Sequence, residues 1–482
     1  MSQRFIVDRL KKKIIEIINI CKEEKTAEFI SKSALILNLP RSVLENYVKN
    51  ILAKDTNHRK QNFNHFSYNS RFKDLLKASL LCLWFLVSYF LLYLFPKKKK
   101  NYDLVVDGII SDIEASRWQE ISKYFKKVCL VSKQKLHGDF RHNIKIFTYP
   151  KFFFFVGHNH TLLSRIKIIF FFFKVLKISF KYKKNYFFLF NLILYNFLKY
   201  NYIFENVSSN LLIEEKFYAT SALKNCIFKK NGGKLTSCIQ KNILEIKMSS
   251  FIYTDIFFSL GKSTAQAINR FGGRVRKTIP VGSLYMERDW FNQKPDIDKI
   301  KEIDILILGG NQTKLWLSSK DHVDAYYESI KWFTKFSNKY KNIKVCLKHH
   351  DSYFKVSPDK KELKLLKNSN VDFLPSYDNK HKSYGYGFKS KICCSFASTM
   401  IVEFLGHGKP SFFLDPNFYN QQFFEHFSEL NKYRFKTYKN FEKKMIYLLK
   451  NKRYKNYKAN NDFCTNSKYV SKKIATYLKK VS

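Results

Sequence analysis

The sequence has few glycines, few prolines and few acidic side chains. Fifteen glycines and nine prolines in 482 residues are too few for a collagen-like chain or a disordered chain rich in Pro and Gly. Asp and Glu number 39 against 87 Lys and Arg, which gives a formal net charge of +48. This charge calls for an anionic partner, and the length is sufficient for two domains that each bury a core.

Nucleic acid is one candidate for the anionic partner, but the motifs typical of nucleic-acid binding are missing. There is no zinc-knuckle spacing, no RNP-like motif and no basic helix with a clean recognition face. Lys, Asn, Phe, Tyr and Ile are enriched together, and a genome rich in A and T explains part of this bias. We therefore expect an anionic membrane surface with phosphorylated lipid acceptors as the partner, and no nucleic acid.

The nine cysteines are an odd number in no metal-binding spacing, which indicates buried thiols in a reducing cytoplasm. The histidines also form no recognisable metal-binding group. Asp296-Ile297-Asp298 matches a metal-binding DxD only superficially, because it lies in a linker that contains Pro and Lys. We expect no bound metal.

Long uncharged runs are scarce, and the longest lies in residues 75–96. Its 18 residues from Ala78 to Phe95 would make a helix about 27 Å long, just short of the roughly 30 Å hydrocarbon thickness of a bilayer. Basic residues flank both ends, so a spanning helix would put one basic cluster on the outer side, against the tendency of positive charge to stay on the cytoplasmic side. We expect a helix that lies in the cytoplasmic leaflet; a buried core helix and a true span are the alternatives.

A second apolar region, residues 151–204, is interrupted by lysines, so no part of it is long enough to span a membrane. It suits a membrane-docking face or an acceptor groove, or else an ordinary helical core. The N-terminus is an amphipathic charged helix rather than a signal peptide, and residues 1–60 indicate two or three short helices.

Short apolar runs alternate with helical patterns from residue 303 onward, at 303–308, 343–348, 371–374, 391–396 and 411–415. Strands separated by helices predict a doubly wound parallel sheet, and such sheets bind ligands at the carboxyl ends of their strands. The residues expected at those ends are Gly309, Gly310, His349, His350, Ser395 and Ser398.

The segment 391–416 predicts a strand, a tight turn, a helix and another strand. Ser395, Ser398 and Thr399 supply hydroxyls where the helix would begin, and helix N-termini bind phosphates. Glu403 is one turn beyond Thr399, placed to accept a hydrogen bond from a sugar or ribose hydroxyl. The segment therefore indicates a nucleotide-sugar pocket, although a capped helix with a solvated Glu has the same pattern.

The first half of the chain changes character at Tyr102. YDLVVDG predicts a strand that ends in Asp107-Gly108, and further strands are expected at 128–132 and 144–150. Asp107, Asp112 and Glu114 lie in the first strand-to-helix loop. Sugar transfer requires a group that accepts the proton of the acceptor hydroxyl, so one of the three is a candidate base; solvated acids at a helix start are the alternative.

Together these motifs resemble the donor-binding half of a GT-B glycosyltransferase. The Gly-Gly turn, KHH after a strand and SFAST…E…GKP are similar to bacterial surface-carbohydrate and capsule enzymes, including CDP-glycerol glycerophosphotransferase relatives. Residues 222–242 and 254–287 resemble their interdomain stretch. Gln240-Lys241-Asn242 departs from the QHG-like turn of those relatives, so no role is assigned to Gln240.

The resemblance implies two Rossmann-like doubly wound domains and a helical, membrane-associated N-terminal extension. The expected bounds are 1–100 for the extension, 101–299 for the acceptor-side domain and 300–482 for the donor-binding domain, with the final helix (466–481) packed back on the N-terminal half. GT-B enzymes generally work without a bound metal or cofactor, and their nucleotide-sugar is a substrate.

The same resemblance implies roles for particular residues. His349 is a further catalytic candidate, and Glu403 would bind the ribose. The remaining donor-binding residues, which would meet the diphosphate or allow its close approach, are Gly309, Gly310, Asn311, Lys348, His350, Ser395, Ser398, Thr399 and Lys262.

The sequence therefore predicts a glycosyltransferase on the cytoplasmic face of the inner membrane, peripheral or with one embedded helix. Its acceptor would be a surface polysaccharide or a lipid-linked saccharide. Three alternatives stay open: transfer of a phosphoalcohol from a CDP donor, a non-catalytic scaffold of the polysaccharide machinery, and a nucleic-acid binder.

Overall fold

The structure is a computed structural model. It describes residues 4–54, 68–90, 99–149, 161–217, 220–242, 250–270, 273–292, 302–309, 320–349, 359–374, 382–416 and 428–482.

The chain begins with helices, as predicted. They are α1 (Arg4–Lys22), α2 (Glu24–Ile36), α3 (Arg41–Lys54) and α4 (Tyr68–Phe90). Pro40 directly precedes α3, a position that suits a residue with no backbone N–H to donate. Only residues 75–90 of the apolar helix expected at 75–96 belong to the part that the structure describes, and all of them are helical.

The first sheet is built from residues 104–280. Its seven strands are β2 (Leu104–Ile109), β3 (Val128–Ser132), β4 (Ile144–Thr148), β6 (Leu211–Glu214), β7 (Leu235–Ile239), β8 (Tyr253–Ser259) and β9 (Arg274–Pro280), while β1 (Lys100–Asn101) pairs separately with β5 (Val207–Ser208). All seven are parallel in the spatial order β4-β3-β2-β6-β7-β8-β9.

Helices connect the strands of the first sheet. They are α5 (Asp112–Ser116), α6 (Trp118–Ser122), α7 (Leu162–Tyr182), α8 (Tyr186–Asn206), α9 (Ala222–Lys230), α10 (Lys262–Arg270) and α11 (Leu284–Met286), which continues as a π-helical turn (Glu287–Asn292). The pair α7 and α8 packs with α1–α4 around a core rich in aromatic rings, where Phe29, Phe171 and Tyr186 are fully buried. Within the described ranges, no helix is both long enough and apolar enough to cross a bilayer.

The second sheet is built from residues 303–435. Its strands are β10 (Ile303–Leu308), β11 (Val345–Lys348), β12 (Val371–Leu374), β13 (Ser390–Ser395), β14 (Ser411–Leu414) and β15 (Arg434–Phe435). They are parallel in the order β12-β11-β10-β13-β14-β15. The five predicted strands are all present, and β15 is an addition.

The helices of this half are α12 (Lys320–Lys339), α13 (Lys360–Leu366), α14 (Lys382–Lys389), α15 (Met400–Gly406), α16 (Tyr438–Lys450) and α17 (Val470–Val481), with 3-10 turns at Ser428–Tyr433 and Arg453–Asn456. The order of strands reverses between β2 and β6 in the first sheet and between β10 and β13 in the second. The predicted α/β architecture with parallel sheets is therefore confirmed, and each sheet has a switch point of the kind where open α/β sheets bind ligands.

The last segment of the chain returns from the second sheet to the first. The Thr465 amide donates to the Leu260 carbonyl at 2.8 Å, and a Cβ at Gly406 would lie 2.2 Å from the Cys464 carbonyl oxygen, so only glycine fits this crossing. Val470, Ile474, Ala475 and Leu478 of α17 then join the core that surrounds Trp118. The final helix packs on the N-terminal half, as expected.

Candidate functional site

Four of the predicted site residues lie together at the carboxyl edge of the second sheet. Gly309 directly follows β10, and its amide donates to the Lys348 carbonyl at the end of β11 at 2.9 Å. His349 is the next residue. On the other side of β10, the buried Ser395 ends β13, and its hydroxyl donates to the Leu308 carbonyl at 2.8 Å. The β10–β13 switch point thus collects residues from three strands.

Gly309 and His349 are in close contact. A Cβ at position 309 would lie 2.5 Å from His349 Nδ1, which is shorter than any normal contact. The imidazole is held from its other side, where Nε2 lies 3.0 Å from the Glu362 carboxylate. His349 and Glu362 are both buried. The absence of a side chain at 309 therefore lets a fixed imidazole lie directly against the backbone of Gly309.

The remaining residues of this edge have mixed surroundings. Lys348 is buried, and its Nζ lies 3.5 Å from the His349 carbonyl. At the start of α15, the Ser398 hydroxyl accepts from the Met400 amide at 3.3 Å, and Thr399 is partly buried. Gly310, Asn311 and His350 are outside the described residues. Lys262 is exposed at the start of α10, on the first sheet.

Glu403 is a buried carboxylate with both oxygens engaged. Its Oε1 accepts from the Ser283 hydroxyl, and its Oε2 accepts from the Tyr384 hydroxyl at 2.8 Å. Burial raises the pKa of Glu403 to about 7, against the two hydrogen bonds that act to lower it. Because Glu403 is only 2% exposed, a ribose hydroxyl would reach this carboxylate only after side chains around it move.

Asp107, the first of the three base candidates, lies at the carboxyl edge of the first sheet. Its Oδ2 is 2.5 Å from the Nζ of the buried Lys224, which also contacts Glu214. Burial acts to raise the pKa of Asp107, but the charge and hydrogen bond of Lys224 outweigh it and leave the pKa below its ordinary value. Asp107 is therefore ionised at neutral pH.

Asp112 and Glu114 are also engaged. Asp112 Oδ1 accepts from the backbone amides of His137 and Gly138 at 2.8 and 3.0 Å, which ties the loop after β3 to the start of α5. Glu114 is buried; its Oε1 lies 2.5 Å from Lys216 Nζ and its Oε2 accepts from the Ile110 amide. The base role of each of the three stays a prediction.

Sequence reasoning missed a second acidic group at the same edge, directly after β6. Glu215 is buried and accepts hydrogen bonds from Trp118 Nε1 at 2.7 Å, Arg117 Nη1 at 2.9 Å and the Tyr285 hydroxyl at 3.1 Å. Burial raises its pKa in spite of the neighbouring Arg117. The run LLIEEK, an apolar strand that ends in acids, carries the same signal as VVDG and could have revealed it.

Lys199 was also missed, hidden in the apolar region of α8. Its Nζ lies 4.4 Å from the centre of the Tyr200 ring and 5.8 Å from that of Tyr149, the residue after β4. Burial lowers the pKa of Lys199 to about 8, opposed by Asp107 and assisted by repulsion from Lys224. Among the described residues, no carboxylate lies within ion-pairing distance of its Nζ.

One short segment joins the two switch points. Ser283 contacts Glu403 beside the second sheet, and Tyr285 contacts Glu215 at the edge of the first. Two residues of extended chain span at most about 7 Å. The two edges are therefore close neighbours.

No protein-family model matches the sequence, and no curated protein matches it. Solved structures do align with the chain. A putative UDP-N-acetylglucosamine 2-epimerase from Listeria monocytogenes aligns at 10% identity over 79% of this chain and 96% of its own, with a TM-score of 0.45. The UDP-GlcNAc 2-epimerase from Neisseria meningitidis bound to UDP-GlcNAc has 12% identity over 79% and 100%, with a TM-score of 0.43.

A third structure, the wall teichoic acid polymerase TagF, aligns at 10% identity over 86% of this chain and 98% of its own, with a TM-score of 0.45.

Proposed function

We propose that the protein is a GT-B-type glycosyltransferase that moves a sugar from a nucleotide-activated donor to a surface polysaccharide or a lipid-linked saccharide. The observation that carries this proposal is the pair of switch points joined through Ser283 and Tyr285. Each edge presents polar and ionisable groups, and a transfer reaction needs a donor and an acceptor held within reach of one another.

The donor would bind at the β10–β13 edge without a metal. Gly309 allows the diphosphate to approach the backbone, while the hydroxyls of Ser398 and Thr399 and the cations of Lys348 and Lys262 stabilise its charge. Ser395 would join them when its hydroxyl leaves the Leu308 carbonyl. Gly310, Asn311 and His350 stay predicted donor-binding residues. The hydrogen bond of Glu362 would orient the His349 imidazole toward the diphosphate. Glu403 would bind the ribose when Ser283 or Tyr384 gives up its hydrogen bond.

The acceptor would bind at the β2–β6 edge. Asp107 is ionised, as a group that takes the proton of an acceptor hydroxyl must be, and Asp112 and Glu114 are the other candidates. Lys224 holds Asp107 in place, and Lys199 adds a positive charge beside it. We place this reaction on the cytoplasmic face of a membrane, with the enzyme attached peripherally.

The positive charge of Lys199 at this edge favours one further candidate function. A growing phosphodiester polymer is an anionic acceptor that this lysine would attract. Transfer of a phosphoalcohol from a CDP donor therefore remains the second candidate, and it would yield a phosphodiester instead of a glycoside.

A nucleotide-sugar panel with a thermal-unfolding readout tests the proposed function. We expect one class of UDP-, GDP-, CDP- or CMP-linked donor to raise the melting temperature of the wild-type protein, since a ligand that binds only the folded state stabilises it. His349→Ala and Glu403→Ala should reduce that shift. If no donor of any class gives stabilisation, the protein is a scaffold. Steeply salt-dependent binding of RNA or DNA without a donor response would make it a nucleic-acid binder.

A further inference from the structure

Helix α4 exposes a stripe of large apolar side chains. They recur every three or four residues, so they share one face of the helix, and each is between 40% and 63% exposed: Phe72, Leu76, Leu80, Leu83, Val87 and Phe90. Helix α7 exposes four more at 56–65%: Leu163, Phe170, Phe173 and Phe180. Of the eighteen large hydrophobic side chains that are exposed in the described part of the chain, ten lie on these two helices.

These helices are anchored to the body of the protein by their other faces. Ala78, Leu81 and Phe85 of α4 and Ile168 and Val175 of α7 are buried in the helical core. A buried arginine also joins the two helices. Arg165 Nη1 donates to the Phe85 carbonyl at 2.6 Å and to the Ser88 hydroxyl at 2.8 Å. The exposed stripes, here called the α4–α7 face, thus belong to adjacent helices in fixed positions.

The charges on this face have one sign. Its exposed lysines are Lys73, Lys77, Lys167, Lys174, Lys177, Lys181 and Lys183. Helix α7 contains no acidic residue, and α4 contains only Asp74. Asp74 is partly buried, and its carboxylate accepts a hydrogen bond from Asn185 Nδ2 at 2.8 Å. Large apolar side chains with interspersed lysines, and no exposed acid on either helix, are complementary to an anionic lipid surface.

We propose that the α4–α7 face binds the surface of an anionic lipid bilayer, with both helices lying along the interface. The Phe and Leu side chains would enter the boundary between head groups and acyl chains, and the lysine stems would extend so that their ammonium groups meet lipid phosphates. Helices that are apolar on the face toward the protein and also on the face away from it suit lipid better than water.

Helix α8 connects this face to the acceptor-side edge. Asn191 donates from Nδ2 to the Asp74 carbonyl of α4 at 2.7 Å, and Lys199 lies eight residues farther along the same helix. Eight residues of helix rise about 12 Å. The α4–α7 face would thus bring the proposed enzyme to a lipid-linked acceptor. This link to the acceptor rests on the proposed function, whereas the binding of lipid does not.

Co-sedimentation with vesicles, in the absence of nucleotide, tests the bilayer proposal. We expect the wild-type protein to bind vesicles that contain phosphatidylglycerol and to bind pure phosphatidylcholine more weakly. The affinity of the triple variant Phe170→Ser, Phe173→Ser, Phe180→Ser for anionic vesicles should be at least about ten-fold lower than that of the wild type. Replacement of Lys167, Lys174, Lys177 and Lys181 by Gln should remove most of the preference for anionic lipid. The control, Leu363→Ser with Tyr447→Ser, changes exposed apolar side chains of α13 and α16, away from this face, and should bind like wild type.

Equal binding of the triple variant and the wild type would overturn the proposal, as would no binding to anionic vesicles. Sedimentation velocity adds a further test: a wild-type dimer that the triple variant dissociates would assign the face to a second copy of the chain. Because vesicle binding is measured without nucleotide and donor binding without lipid, failure of one leaves the other result standing.

Discussion

The hydroxyl of Ser283 donates a hydrogen bond to Glu403 across 120 residues of sequence. Ser283 belongs to the loop between β9 of the first sheet and α11, and Glu403 lies in α15 beside the second sheet. Tyr384 occupies the other carboxylate oxygen. This buried carboxylate therefore fixes the segment that joins the two candidate substrate edges, in addition to any contact with a ligand.

Glu403 should make the stability of the protein depend on pH. Its pKa is raised from 4.5 to about 7 by burial, so the folded state holds a proton that the unfolded state releases. The stabilisation is complete below pH 4.5 and is lost as the pH rises through about 7. One pKa unit corresponds to about 1.4 kcal/mol, so the loss should approach about 3 kcal/mol.

Thermal unfolding of the wild type and of Glu403→Gln at several pH values between 4.5 and 8 measures this effect. The Gln side chain does not titrate, and it keeps hydrogen-bonding atoms for Ser283 and Tyr384. The melting temperature of the wild type should fall relative to that of Glu403→Gln as the pH rises. Parallel profiles for the two proteins would show that Glu403 does not titrate in this range.

Removal of Arg117 should destabilise the protein strongly, because it leaves the buried Glu215 carboxylate without its cation. We expect Arg117→Ala to lower the free energy of unfolding by about 3 kcal/mol, measured by urea denaturation. The double variant Arg117→Ala, Glu215→Gln should recover part of this loss, since no buried charge is left without a partner.

Lys123→Ala is the matched control for that experiment. It breaks the exposed Lys123–Glu120 pair beside the same helix, and exposed pairs contribute about 0–1 kcal/mol. If Arg117→Ala behaves like Lys123→Ala, Glu215 is not the isolated buried charge that its surroundings indicate.

Lys199 should destabilise the folded protein, because its ammonium group is buried and we propose that it serves binding. Burial lowers its pKa to about 8, so at pH 7 the folded protein bears the cost of a desolvated ammonium. After allowance for the lost contacts with the Tyr149 and Tyr200 rings and for partial exposure, Lys199→Met should raise the free energy of unfolding by about 1 kcal/mol. The exposed Lys145→Met on β4 should change it little.

The same two variants separate stability from function. Lys199→Met should weaken transfer to an anionic acceptor, whereas Lys145→Met should leave it unchanged. A Lys199→Met protein that is both less stable and equally active would remove Lys199 from the acceptor site.

The sequence allowed the second sheet to be predicted strand by strand, because IDILIL, VCLK, VDFL, KICCS and SFFL are apolar runs separated by helical patterns. It also placed Gly309, His349 and Ser395 at one edge, since the carboxyl ends of parallel strands meet there. It did not predict β15, because two residues carry no periodicity.

The partners of the site residues were beyond sequence reasoning. Ser283 for Glu403, Lys224 for Asp107 and Glu362 for His349 lie 120, 117 and 13 residues away from them, and nothing local specifies such pairs. In the sequence, Lys199 looks like any other lysine of an apolar helix, because its contact with the distant Tyr149 exists only in the folded chain. The domain bounds and the chemical roles of the site residues stay predictions.

The most direct test of the central claim is equilibrium titration of the stabilising nucleotide donor onto the wild type, Gly309→Ala and Gly233→Ala. Each new methyl group would collide with an aromatic or imidazole ring, that of His349 at the β10–β13 edge or that of Phe228 on the first sheet. We predict that Gly309→Ala weakens donor binding about ten-fold or more and that Gly233→Ala binds like the wild type. Equal affinity for Gly309→Ala and the wild type would contradict a donor site at the β10–β13 switch point.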